Sequence, residues 1–254
     1  MRKKVEGYKQ KFKVIPVIDI LNGEVVHAVR GQRKEYKPLQ SILTNVIAPL
    51  EVAKAFKNLG FTELYIADLD AIISYSTDFS MYKQIAAQTG LKLMLDAGIT
   101  SIDRAQDLLN SGVSKVVVGT ETLQRKGFIK DAVKRFGSQR VILSLDLKGE
   151  KVMVKLGFDG CFTPMCLLRE FKSMGLEQVI VLDLTRVGSG EGVNIDFLKR
   201  VIAEIGVDVY VGGGIRDIND LVELQKIGVY GALVASALHN GKIPIPPLKE
   251  VDFV

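Results

Sequence analysis

An α/β fold, a (β/α)8 TIM barrel built from two duplicated half-barrels, is what this 254-residue sequence predicts. Three observations carry that prediction. Strand-length apolar runs alternate with helix-period segments along the chain, the runs are apolar on both faces, and the second half repeats the first. Strands buried on both sides belong to parallel sheets covered by helices, and eight of them in regular alternation close into a barrel.

The strands are expected at 14–20, 63–69, 91–95, 115–119, 140–145, 178–184, 207–211 and 231–235, each rich in Val, Ile and Leu. Between them, apolar residues recur at helical spacing over 49–59, 79–88, 102–110, 128–136, 164–174, 195–205 and 218–227. Thr163 before Pro164 reads as an N-cap followed by proline in the first turn, and Gly60, Gly112, Gly175 and Gly228 follow helix ends. A full eighth helix is not expected, because Ile243-Pro244-Ile245-Pro246-Pro247 interrupts the remaining chain.

The repeat is direct. Residues 91–123 align without a gap on 207–239, pairing Gly98 with Gly214, Ile99 with Ile215, Leu108 with Leu224 and Gly112 with Gly228. The starts of the halves also correspond, Val17-Ile18-Asp19 with Ser144-Leu145-Asp146. The chain is therefore read as one domain over 1–254, with a basic arm at 1–12 and halves at about 13–137 and 138–240.

Composition excludes several classes. With 47% hydrophobic and 25% charged residues the chain is not disordered. No apolar run approaches a membrane span, and no apolar signal core follows Met1-Arg2-Lys3-Lys4, so a cytoplasmic protein is expected. The net charge of +5 is dispersed among acids, as at Glu51, Lys54 and Lys57, which reads as solvated helix faces rather than a nucleic-acid surface. Cys161 and Cys166 lie in one stretch with no second pair, and with two histidines they make neither a disulfide scaffold nor a zinc site. No cofactor and no metal are expected.

In such a barrel the active site lies at the C-terminal ends of the strands. Those tips are acidic: Asp19, Asp68 with Asp70, Asp96, Asp146 and Asp183. Asp19 and Asp146 hold equivalent positions in the two halves, facing one another, and such a pair can divide acid and base roles. Asp183 is a further candidate acid. Gly212-Gly213-Gly214-Ile215-Arg216 follows strand 7, and its bare backbone at Gly213 and Gly214 suits a phosphate, with Ala235 and Ser236 after strand 8 as a second wall. The matching loop of the first half reads Asp96-Ala97-Gly98-Ile99-Thr100, which sets a carboxylate where an anion would rest. Asp96, Gly98, Gly119 and Thr120 are thus a candidate second substrate site. No lysine is expected at a strand's C-terminal tip, which argues against Schiff-base chemistry. His27, within Val25-Val26-His27-Ala28-Val29, reads as a packed strand residue.

Residues 14–23 with Asp19, Leu145-Asp146, residues 211–216 and 232–236, and the duplicated halves together resemble the HisA/HisF barrels of histidine biosynthesis. The resemblance implies a barrel acting without cofactor on a phosphorylated, ribose-linked aminoimidazole compound. For a HisA-like isomerase it implies an Amadori rearrangement of aminoaldose to aminoketose, with Asp19 moving the proton at the sugar C2. HisF-like chemistry relies on acids matching Asp19 and Asp146, with a glutaminase partner that is not expected here. The threonine and aspartate of the HisA pattern after strand 6 read Leu182 and Val187 in this chain, and valine transfers no proton. A divergent paralogue is therefore expected, a monomer or small homo-oligomer. The alternatives are a related lyase or synthase on a singly phosphorylated substrate, as in one-carbon cofactor metabolism, and a non-catalytic phosphate-ligand-binding barrel.

Overall fold

The computed structural model describes residues 12–74, 77–250 and 253. The expected basic arm, Phe12 apart, lies outside them. Eight parallel strands close into a barrel: β1 (Lys13–Leu21), β2 (Glu63–Asp68), β3 (Lys92–Asp96), β4 (Lys115–Gly119), β5 (Val141–Lys148), β6 (Gln178–Asp183), β7 (Asp208–Gly212) and β8 (Gly231–Val234). Each pairs with the next, and β8 returns to β1 through Lys13↔Gly231 to Pro16↔Val234. Outside lie α1 (Pro49–Asn58), α2 (Phe79–Thr89), α3 (Ile102–Asn110), α4 (Gly127–Phe136), α5 (Pro164–Ser173), α6 (Ile195–Ile205) and α7 (Ile218–Ile227). None of the described helices is long and apolar enough to cross a membrane.

The doubly apolar strands serve two cores. Ile15, Tyr65, Met94, Val117, Ile142, Ile180, Tyr210 and Leu233 fill the barrel interior, while their strand neighbours such as Val14, Leu64, Leu93, Val116 and Val179 pack outward against the helices. At the N-terminal end Lys115 Nζ donates to Gln178 Oε1 (2.6 Å) and Tyr210 Oη (3.2 Å), and Lys13 pairs with Glu63. Ordering solvent-averse strands around this polar plug leaves the other end open for chemistry.

Helix punctuation follows local chemistry. Asp78 caps α2 through the Ser80 and Met81 amides, Ser101 caps α3, Asn194 caps α6 and Asp217 caps α7. Thr163 occupies the N-cap of α5 but its hydroxyl makes no capping bond. Among the described residues after β8, the helices are the short Ser236–His239 and Ile245–Glu250.

Three features differ from expectation. Leu69 opens a short helix, Leu69–Ser74, instead of ending β2. Strand β5 runs on to Lys148 because Lys151–Val152 folds back antiparallel upon it, so a lysine does stand at a strand tip. Cys161 and Cys166 are bonded to each other across the start of α5, with Cα atoms 5.9 Å apart. Glu24–His27 and Lys37–Pro38 add a small antiparallel extension to β1.

Candidate active site

Strand parity decides which acidic tips reach the barrel mouth. Successive side chains on a strand point to opposite faces. Asp19 is in register with Ala67, and Ala67 with Asp96, so these three share the inward layer on one side. Asp146 is in register with Leu182, Leu182 with Gly212 and Gly212 with Leu233, which complete the layer on the other. All seven line one cavity of about 280 Å³ at the C-terminal end.

The same rule removes the other acids. Asp68 follows Ala67 and so points outward, where it is buried and accepts hydrogen bonds from Tyr82 and the Ala71 amide. Asp70 holds the turn after β1 by accepting from the Asn22 and Gly23 amides at 2.8 and 2.9 Å. Asp183 is in register with outward-facing Leu147, and accepts from the Thr185 amide and hydroxyl and from Arg186 Nε (3.1 Å). It lines a neighbouring cavity behind the β7 loop, not the mouth. Asp19, Asp96 and Asp146 are the acids that converge.

Their environments differ. Among the described residues nothing donates a hydrogen bond to the Asp19 carboxylate, and burial pushes it up to about 7. Asp146 accepts from Ser144 Oγ (2.7 Å), the Glu121 amide (3.1 Å) and Thr120 Oγ1 (3.5 Å), and burial still raises it to about 6. Asp96 is raised to about 7, by burial first and then by the charge of Asp146, while the Gly98 amide opposes the shift. The two meet over Gly119. A Cβ there would lie 3.0 Å from Asp146 Oδ2 and 3.3 Å from Asp96 Oδ2, so only glycine lets both carboxylates close on one spot. Tyr65, which lines the same cavity, is pushed well up by burial and then by Asp96, Asp146 and Asp19.

A sign follows for stability. The unfolded Asp96 carboxyl ionises near its ordinary value of 3.8 while the native one keeps its proton to about 7, so its contribution to stability falls as pH rises between them. Asp96→Asn is therefore expected to stabilise the ligand-free protein by on the order of 2 kcal/mol near pH 8 and to change it little near pH 4. Urea melts at the two pH values check this, and an equal effect at both would refute it.

The predicted phosphate residues Gly213, Gly214, Ala235 and Ser236 all line the mouth. Gly213 and Gly214 have φ of 88° and 87°, and their space is taken by the Asp183 and Gly192 carbonyls. Of the second candidate site, Asp96 and Gly119 reach the cavity. Gly98 does not: its amide donates to Asp96 Oδ1 (3.2 Å) and its Cα packs on Ile72. Thr120 is fully buried and receives the Asp146 amide (3.0 Å).

The sequence reading missed further lining residues, namely Arg33, Tyr36, Lys148 and Lys242. Tyr36 is pushed up to about 12 by burial and then by the Asp19 charge, which places it beside that carboxylate. Arg33 donates to Glu121 (3.0 Å) and Arg30 to Glu191 (2.6 Å), tying the loop after β1 to those after β4 and β6. Val187 also lines the cavity, and its carbonyl receives the Arg30 amide at 2.9 Å.

Comparison with known proteins shows the family. The chain is 32% identical over 235 residues to a Methanosphaera stadtmanae protein named 1-(5-phosphoribosyl)-5-((5-phosphoribosylamino)methylideneamino) imidazole-4-carboxamide isomerase, covering 91% of this chain and 96% of that one. It is 28% identical to the Methanocaldococcus jannaschii protein of the same name, over 94% of this chain and 98% of that one. An uncharacterized protein of the same Methanocaldococcus jannaschii strain is 32% identical, over 92% of this chain and 96% of that one. A family model for histidine biosynthesis proteins matches residues 13–244, the whole barrel, and the chain belongs to that family.

Proposed function

We propose that the protein is a HisA-type isomerase that converts an aminoaldose to an aminoketose on a phosphorylated, ribose-linked aminoimidazole substrate. The observation that carries this is the convergence of Asp19, Asp96 and Asp146 in one small cavity whose other wall is Gly213, Gly214, Ala235 and Ser236. The relatives named as isomerases support it.

The phosphate rests against the loops after β7 and β8, which orients the sugar toward the acids. A proton from the Asp96–Asp146 pair goes to the ring oxygen, and the C1–O bond breaks to open the aminoaldose to its protonated imine. Asp19, bare of hydrogen bonds and raised toward neutrality, takes the C2 proton to give the neutral enolamine, and protonation at C1 with loss of the C2 hydroxyl proton yields the aminoketose. Position 187 offers no acid, and the Asp96–Asp146 pair supplies that proton instead.

Turnover of the bis-phosphorylated ribotide, followed by chromatographic conversion to its ketose, is the expected result. No conversion at high enzyme concentration would overturn the isomerase reading. The second reading, a lyase or synthase on a singly phosphorylated substrate, expects a single anion site. The Gly98 amide that would hold a second phosphate is already bonded to Asp96.

A further inference from the structure

His27 was expected to be a packed strand residue, and it is instead exposed beside the phosphate wall. It ends the strand Glu24–His27, and its Nε2 lies 2.9 Å from Ser236 Oγ. Gly188 of the loop after β6 packs on its other side: a Cβ added there would be 3.4 Å from the same nitrogen and 2.5 Å from the Ala28 carbonyl. His27 is thus wedged between two of the loops that would surround a phosphate.

The charges around this wall are mostly spent. Arg30 is held by Glu191 (2.6 Å), Arg186 by Asp183 (3.1 Å) and Arg216 by Asp220 (2.6 Å). Lys242, whose Nζ would be 4.0 Å from a Cβ on Gly190, has no ion pair among the described residues. A phosphate dianion held by neutral amides and one lysine leaves charge uncompensated, and His27, in contact with Ser236, is placed to supply it.

We propose that phosphate binding takes up one proton on His27. With its proton on Nδ1, neutral His27 accepts the Ser236 hydroxyl hydrogen at Nε2, and that hydroxyl cannot donate to a ligand. When solvent supplies a proton, Nε2–H donates to Ser236 Oγ, and the hydroxyl hydrogen turns to a phosphate oxygen. One event adds a positive charge and frees a donor. This rests on the phosphate assignment of Gly213, Gly214 and Ser236 made above.

The titratable and charged groups around His27 are few. His239 is buried, bonded through Nδ1 to Ser41 Oγ (2.9 Å), and lowered to about 4 by burial and then by His27, so it stays neutral near pH 7. Lys37 is the register partner of His27 on the adjoining strand, and the Arg30–Glu191 pair and Lys242 lie in the flanking loops. Asp19, Asp96 and Asp146 in the same mouth titrate in the same range. Their effect on anion binding is common to parent and variant, so the informative quantity is the difference between the two.

Sulfate is the probe, since it remains a dianion throughout. Calorimetric titration of the full-length protein and of His27→Gln, near pH 6 and pH 8 and in two buffers of different ionisation enthalpy, tests the proposal. Glutamine keeps an amide donor for Ser236 but takes up no proton. The parent is expected to lose about tenfold more sulfate affinity than His27→Gln between the two pH values, and to take up about half a proton more at pH 7. Equal slopes and equal proton uptake in the two proteins would overturn the proposal and leave the phosphate wall intact. Absence of sulfate and inorganic phosphate binding to the parent would overturn the phosphate wall, and the proposal with it.

Discussion

Asp19→Asn is expected to cut turnover of the ribotide about 10³-fold while leaving KM within about threefold. Asparagine keeps the volume and the polarity but accepts no proton, so only the step at C2 is lost. Asp19 must be ionised to act as base, and burial sets its midpoint at about 7. The Asp96–Asp146 pair must still hold a proton, with midpoints at about 7 and about 6. The rate therefore rises with pH as Asp19 ionises and falls as the pair empties, giving a bell near neutrality. Steady-state rates of the parent from pH 5 to 9 check this. A profile that is flat across that range, or an Asp19→Asn variant with more than a tenth of the parent activity, would refute the role.

Gly214→Ala is expected to abolish phosphate binding and to lower stability by about 1–3 kcal/mol. At φ of 87° any L side chain is strained, and the added Cβ would lie 2.2 Å from the Gly192 carbonyl oxygen. That contact is with backbone, so no side-chain rotation relieves it. Gly192 also donates its amide to the Gly214 carbonyl at 2.9 Å, which zips the loop after β6 to the loop after β7. Pushing them apart displaces Val187 and Gly188 and opens the wall on which the phosphate rests. Thermal melts together with sulfate titration read both effects. Sulfate affinity within threefold of the parent would show that the anion is bound elsewhere.

The barrel was legible because alternation of strand-length and helix-period segments survives the loss of three-dimensional information. The strand bounds shift by no more than a few residues, and helices 102–110, 195–205 and 218–227 begin and end where periodicity placed them. The acids were harder. When both faces of a strand are apolar, periodicity does not say which face is inside, so Asp68 and Asp183 read like Asp19 and Asp146. The duplicated pattern held the missing signal, since Asp19 and Asp146 match each other in the repeat and Asp183 matches Asp68, both outward. The extension of β5 to Lys148 depends on a strand of two residues, too short to register as a pattern. His27 read as core because its neighbours Val25 and Val26 are buried, though its own side chain emerges at the strand end.

The two ion pairs that tether the loop after β1, Arg30 with Glu191 and Arg33 with Glu121, also set how a ligand enters. All four side chains are between about a third and half exposed. Pairs so exposed contribute roughly 0–1 kcal/mol each, so releasing both costs about 2 kcal/mol at most. The mouth is therefore fastened by bonds that break and re-form on the timescale of loop motion, from nanoseconds to microseconds, without disturbing the barrel beneath. Added salt acts on entry in two opposing ways. It loosens these fastenings, and it screens the attraction of Lys242 for an arriving dianion. The sign of the salt dependence of the association rate, read by stopped-flow mixing with sulfate or phosphate, therefore tells which of the two effects dominates.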